Sequence, residues 1–142
     1  VTTLEKDNLV LRYDLEDVVR TNYRPCPCGE THVRLFWEGR LKDVVPVAGH
    51  ELLPIDVALA LAGVPELAGT VPEYQIVRRR ADDDRLHLRV ELPPVPQEAG
   101  FRAAVERVVR DRLGVATDLR LVPAGTLPRF DFKAARIVDA ES

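Results

Sequence analysis

Methionine is absent from the 142-residue sequence and lysine is scarce, with only Lys6, Lys42 and Lys133 against seventeen arginines. Cysteine is limited to Cys26 and Cys28, tryptophan to Trp37, and aromatic residues make up 6% of the chain. Two cysteines separated by one residue cannot form a disulfide framework, so a reducing cytoplasm is the expected compartment. No apolar run approaches the roughly 20 residues of a membrane-spanning helix, and no signal peptide is visible. Excess positive charge is also missing. A net charge of −3 and a pI near 5.6 argue against a nucleic acid or an anionic membrane as the main partner. The lack of methionine, with a start in strand-like sequence (Val1-Thr2-Thr3-Leu4), leads us to expect a fragment of a longer polypeptide.

What remains is the composition of a globular protein, 46% hydrophobic and 30% charged, long enough for one ordinary domain or a small domain plus part of another. Residues 1–38 read as short strands, at Asn8 to Tyr13, Asp17 to Tyr23 and Val33 to Trp37. The loop Arg24-Pro25-Cys26-Pro27-Cys28-Gly29 punctuates them. From residue 43 the pattern changes. Asp43 to Val47 is a short strand, and Pro54 opens a helix to about Ala62, with Gly63 in the stop position. Tyr74 to Arg80 and Arg85 to Leu92 make a hairpin. In its second arm Leu86, Leu88, Val90 and Leu92 face one way, while Arg85, His87, Arg89 and Glu91 face the other. Phe101, Ala104, Val105, Val108, Val109 and Leu113 fall at helical spacing, stopped by Gly114. Thr117 to Val122 is a last strand before the tail. The predicted fold class is therefore α+β: an N-terminal β segment (1–38), a connecting stretch (39–43), and a small ferredoxin-like β-α-β-β-α-β domain (44–142). Its helices would lie on one face of an antiparallel sheet.

Because lysine is so rare, its positions carry information. Lys133 lies in Leu127-Pro128-Arg129-Phe130-Asp131-Phe132-Lys133-Ala134, and Lys42 in Gly39-Arg40-Leu41-Lys42-Asp43. A lysine ammonium acts as a compact point charge toward a phosphate or carboxylate. Cys26 and Cys28, with His32 four residues on, offer soft ligands for zinc. Structural zinc takes four ligands, usually with C-x₂₋₄-C spacing, so two free thiols in a proline-rich loop is the other reading. Arg78-Arg79-Arg80 against Asp82-Asp83-Asp84 reads as a solvated hairpin end, with a phosphate patch as the alternative. Trp37 reads as a core or interface residue.

Four of these segments, in order, resemble one family. Arg12-Tyr13 followed by Asp17 resembles the Arg-Tyr-Arg-Thr-Gly-Asp stretch of AMP-forming acyl- and aryl-CoA ligases. Pro25-Cys26-Pro27-Cys28-Gly29-Glu30-Thr31-His32 is similar to a cysteine loop of their phenylacetate–coenzyme A ligase branch. Gly39-Arg40-Leu41-Lys42-Asp43 resembles the hinge between the large and small domains, and Leu127-Pro128-Arg129 with Lys133-Ala134 resembles the tail with the catalytic lysine. The chain departs from the family where Leu15-Glu16 replaces Thr-Gly. It departs again beyond the hinge, where Ala48-Gly49-His50-Glu51-Leu52-Leu53-Pro54 keeps only Gly49 and Pro54.

The resemblance implies a C-terminal portion of an enzyme that joins a small aromatic or acyl carboxylic acid to CoA through an acyl-adenylate. ATP and Mg²⁺ would serve the first step and CoA the second. Lys133 would be the adenylation lysine on a mobile lid, and Asp17 a ligand of the ATP ribose. Arg40 would contact phosphate or ribose, Gly49 would lie in the loop of the thiolation site, and Lys42 would be the hinge residue. Remaining ligands of a structural Zn²⁺ at Cys26 and Cys28 would come from the upstream large domain, and a homodimer is compatible with the resemblance. The alternative is a non-catalytic ferredoxin-like domain derived from such an enzyme, which senses a ligand or mediates dimerisation.

Overall fold

The computed structural model describes residues 14–79, 84–95, 97–129 and 136–140, which fall into two compact units, one ending at Asp43 and the other beginning at Val44. In the first unit, β1 (Asp17–Asn22) and β2 (Arg34–Arg40) form an antiparallel ribbon running from Asp17 opposite Arg40 to Asn22 opposite Arg34. The register slips by one residue at Glu38, a β-bulge that bends the strand. Arg20 fixes one face, bonding the Glu38 carboxylate at 2.7 Å and lying 4.7 Å from the Phe36 ring centre. A 3₁₀ turn, Leu41–Asp43, follows directly.

The second unit begins with a tight hairpin of β3 (Val45–Val47) and β4 (His50–Leu52). Its two-residue turn puts both Ala48 (φ 49°) and Gly49 (φ 78°) in the left-handed region, as a type I′ hairpin turn requires. Helix α1 (Pro54–Leu61) starts where proline at its first position and the Asp56 carboxylate, 2.8 Å from the Leu53 N–H, satisfy the helix entrance. Strands β5 (Tyr74–Arg78) and β6 (Arg85–Glu91) pair antiparallel. Helix α2 (Glu98–Leu113) then leads to β7 (Ala116–Val122), and the tail returns as β8 (Ile137–Asp139). The sheet order is β7-β6-β5-β8. Val57 and Leu61 of α1, with Phe101, Val105 and Val109 of α2, pack on Ile76, Leu86, Leu88 and Val90 of the sheet. All nine are at most 1% exposed.

The α+β, ferredoxin-like class expected from the sequence is the class observed, with three differences of detail. The sheet is mixed, because β6 runs parallel to β7 and β5 parallel to β8. The strand expected first in the sheet pairs instead with β4. Pro46 has no N–H to donate, and the turn at residues 48–49 folds the chain straight back, so β3 fills the core through Val45 and Val47 from outside the sheet. The fourth strand of the sheet is β8, three residues long and too short to register as a pattern. The expected strand at Asn8 to Tyr13 lies outside the described residues, as does Arg80.

Candidate functional site

The β1–β2 ladder brings two expected site residues together: Asp17 and Arg40 stand directly opposite each other at one end of the ribbon, both exposed. The turn before Asp17 is held on both sides. The Glu16 N–H donates to the Asp14 carboxylate at 2.9 Å, and the Glu16 carbonyl accepts the Leu41 N–H at 2.7 Å. Glu16 itself has φ 54°, left-handed backbone that costs a residue with a Cβ roughly 1–2 kcal/mol. Glutamate thus adopts the conformation that a glycine at this position would take freely. Lys42 follows in the adjoining 3₁₀ turn, exposed.

Gly49 belongs to the second unit, at the exposed tip of the β3–β4 hairpin, where an added Cβ would meet nothing within 4 Å. Its left-handed φ sets the turn, and its neighbour His50 lies against Gly114 at the end of α2. Lys133 lies outside the described residues, between the segments ending at Arg129 and beginning at Arg136, which are described.

These flanking segments meet at a charged cluster that the sequence did not reveal. Glu91, at the end of β6, accepts four hydrogen bonds: from the Gly125 N–H at 2.9 Å, the Leu127 N–H at 2.8 Å, and the two terminal nitrogens of Arg129 at 2.9 and 2.7 Å. Its side chain is 8% exposed, that of Arg129 52%. The fork of Arg129, then the two backbone N–H groups, hold the Glu91 carboxyl at a pKa of about 2 despite its burial. Arg129 Nη1 also lies 3.7 Å from Glu73, whose carboxylate accepts a 2.7 Å bond from Arg136. Arg136 in turn donates to the Tyr74 carbonyl at 3.1 Å and stacks 4.7 Å from the Tyr74 ring centre. Burial pushes the Tyr74 hydroxyl up to about 12, and it donates to the Pro54 carbonyl at 2.6 Å. Alternation had put Glu91 on a polar face. That face is instead covered by the chain after β7, and the signal was only the Leu-Pro-Arg triplet itself.

His87, on the same face, is also largely buried, with Nδ1 2.8 Å from the Asp118 carboxylate. Beside it lies a shallow depression of about 130 Å³ lined by Val77, Arg79, His87, Arg89, Asp118 and Arg120. Arg78 pairs with Asp139 at 2.8 Å, so part of the arginine run serves to tie β5 to β8.

The cysteine loop does not assemble a zinc site from the residues present. The Cys28 thiol bonds the Cys26 sulfur at 2.8 Å, which holds the Cys26 thiol below its ordinary pKa. Two thiolates on one tetrahedral zinc, each about 2.3 Å from the metal, stand about 3.7 Å apart. His32 is turned to Glu30, with Nδ1 3.2 Å from its carboxylate. Among the described residues no three metal-ligating side chains gather.

A family model described as "AMP-binding enzyme C-terminal domain" matches residues 49–141. The phenylacetate-coenzyme A ligase of Thermus thermophilus is 33% identical over 160 residues, which take in 97% of this chain and 35% of the relative. A solved structure of 2-hydroxyisobutyryl-CoA ligase, in the postadenylation state with R3-HIB-AMP, superposes with a TM-score of 0.77 at 30% identity, covering 88% of this chain and 28% of that one. The same ligase with 2-HIB-AMP and CoA in the thioesterification state gives 0.59 at 29% identity, over 87% and 27%. The chain thus spans about a third of the length of the curated relative it matches.

Proposed function

Because the chain belongs to the AMP-binding enzyme C-terminal domain family, we propose that it serves an AMP-forming ligase that activates a small aromatic or acyl carboxylic acid with ATP and passes it to CoA. The upstream large domain would supply the acid pocket and most of the ATP contacts. In the first step a carboxylate oxygen attacks the α-phosphorus of ATP, the bond to the bridging oxygen breaks, and pyrophosphate leaves. In the second, the CoA sulfur attacks the acyl carbon, AMP leaves, and the thiol proton goes to solvent or base.

The observation that best supports this reading is the opposition of Asp17 and Arg40 at one end of the β1–β2 ribbon. A carboxylate can accept from two vicinal ribose hydroxyls at once, and a guanidinium beside it suits the adjoining phosphate. Glu16, in the conformation proper to glycine, immediately precedes Asp17. Lys42, in the short turn after Arg40, is where a few backbone torsions would absorb movement of the small domain between the two steps. Gly49, at an open hairpin tip, would leave room for CoA. Mg²⁺ would accompany ATP and offset the charge of its phosphates.

Lys133 is the proposed adenylation cation. Two anions, the acid carboxylate and the α-phosphate, must meet in the first step, and an ammonium between them offsets both their repulsion and the charge that develops. Loss of one such preorganised partner typically costs on the order of 10²–10³ in rate. In the longest natural polypeptide containing this segment, acid-dependent pyrophosphate release should fall by that factor on Lys133→Ala. The assay supplies ATP, magnesium, and phenylacetate with a panel of other aryl and acyl acids. Turnover unchanged in the variant would remove Lys133 from the mechanism. ATP binding without turnover of any acid would favour the ligand-sensing or dimerisation reading.

A further inference from the structure

The cluster around Glu91 has no part in the chemistry proposed above, yet it holds the chain on both sides of Lys133. The sequence places Lys133 four residues after Arg129 and three before Arg136. Arg136 bonds the Glu73 carboxylate at 2.7 Å, Arg129 lies 3.7 Å from the same carboxylate, and Arg129 is locked by two parallel bonds to Glu91. Glu91 also holds the Gly125 and Leu127 N–H groups, so the approach to Arg129 is fixed at the backbone as well. On the far side the Arg136 carbonyl accepts the Ile76 N–H at 2.7 Å, which starts the β5–β8 pairing. An extended chain spans at most about 3.6 Å per residue, so four residues tether Lys133 within about 14 Å of the Arg129 anchor.

We propose that Glu91 and Glu73 are positioning residues for Lys133, acting through Arg129 and Arg136 to hold both ends of the stretch that presents the ammonium for adenylation. This rests on the assignment of Lys133 to that step. A buried carboxylate that spends all its acceptor capacity on one approaching segment does more than a surface ion pair, which is worth little. Holding a catalytic group in register reduces what must be ordered at the moment of reaction. Because the clamp acts only through Lys133, it should matter for the adenylating half-reaction and not for the attack of CoA on a preformed acyl-adenylate.

The test uses the same full-length polypeptide, with the acid it turns over. Two rates are measured: acid-dependent exchange of labelled pyrophosphate into ATP, and AMP release from the synthetic acyl-adenylate with CoA. Glu91→Gln keeps the shape of Glu91 but opposes an amide N–H to Arg129. It should slow exchange about tenfold or more while leaving thiolation within twofold, and combined with Lys133→Ala it should add nothing to the loss from Lys133→Ala alone. Arg129→Lys, at a half-exposed position, keeps the charge without the fork and should give an intermediate loss of exchange; it carries the test if Glu91→Gln does not fold. Exchange unaffected in these variants while Lys133→Ala has abolished it would overturn the clamp alone. Equal losses in both half-reactions, additive with Lys133→Ala, would make the cluster merely structural. Normal exchange in Lys133→Ala would overturn the lysine assignment and this inference with it.

Discussion

Glu91 shows how one carboxylate can organise a segment distant in sequence. Saturated by two backbone N–H groups and a bidentate arginine, its charge is favoured in the folded chain over the unfolded one, where the ordinary value is 4.5. A folded pKa of about 2 lies below that value, so the stabilisation is complete above pH 4.5 and is lost as the pH falls through about 2. Hydrogen bonds to a charged group contribute about 1.5–3 kcal/mol each when a partner is removed. We therefore expect Glu91→Gln to lower the unfolding free energy of the 142-residue chain, read from urea denaturation at pH 7, by an amount within this range. The gap between variant and wild type should stay constant down to about pH 5 and close toward pH 2. A gap that does not change with pH would mean that packing, and not the charge of Glu91, holds the tail. The half-reaction assays address the separate question of what that anchoring does for Lys133.

At the scale of elements, the ends of α2 and the turn of the first hairpin carry strong local demands. Gly114 closes α2 with φ 73°, its N–H bonded to the Arg110 carbonyl at 3.0 Å, and a Cβ there would meet the His50 ring at an ordinary 3.6 Å. The cost of Gly114→Ala is therefore one of backbone and not of collision. We expect a loss of about 1–2 kcal/mol, less for Gly114→Asn, read from thermal or urea unfolding. That helix stop was legible in the sequence, as was α1, since Pro54 and Gly63 bracket an apolar period and Phe101 to Leu113 repeats at helical spacing. The extra turn at the start of α2, Glu98-Ala99-Gly100, has no apolar member beyond alanine and so left no trace. Strand β8 was hidden because Ile137-Val138-Asp139 is too short to alternate; beside its backbone pairing with β5, the Arg136–Glu73 and Arg78–Asp139 pairs flank it. Alternation in β6 assigned each residue to a side but could not say which side later chain would cover. Glu91 and His87 were accordingly assigned only to the side opposite Leu86 and Leu88, and both are found buried there. Asp17, Arg40, Lys42 and Lys133 were named through the family resemblance. Composition alone singled out only the rarity of lysine.

The two units differ sharply in what they can sustain alone. The second has a continuous core through Ile76, Leu88, Phe101 and Val105. Among the described residues of the first, only Gly39 is buried, while Leu35 and Trp37 are 65% and 64% exposed and Val19 and Phe36 are also open. A two-stranded ribbon without a covered face is marginally stable in water at best, and a cluster of large apolar side chains on one short ribbon marks a surface that another body covers. The proposed large domain would be that body, since the chain spans about a third of the length of a relative it matches. Hydrogen exchange separates the two conditions directly. In the isolated 142-residue chain, the amides of Val18 to Asn22 and Leu35 to Gly39 should exchange with little protection, and those of Leu86 to Val90 should be slow. In the full-length polypeptide both sets should be slow, because the ribbon would then be one edge of a larger folded body and open only with it. Strong protection of the ribbon in the isolated chain would mean that it needs no cover, and would remove this argument for an upstream domain packed against Trp37.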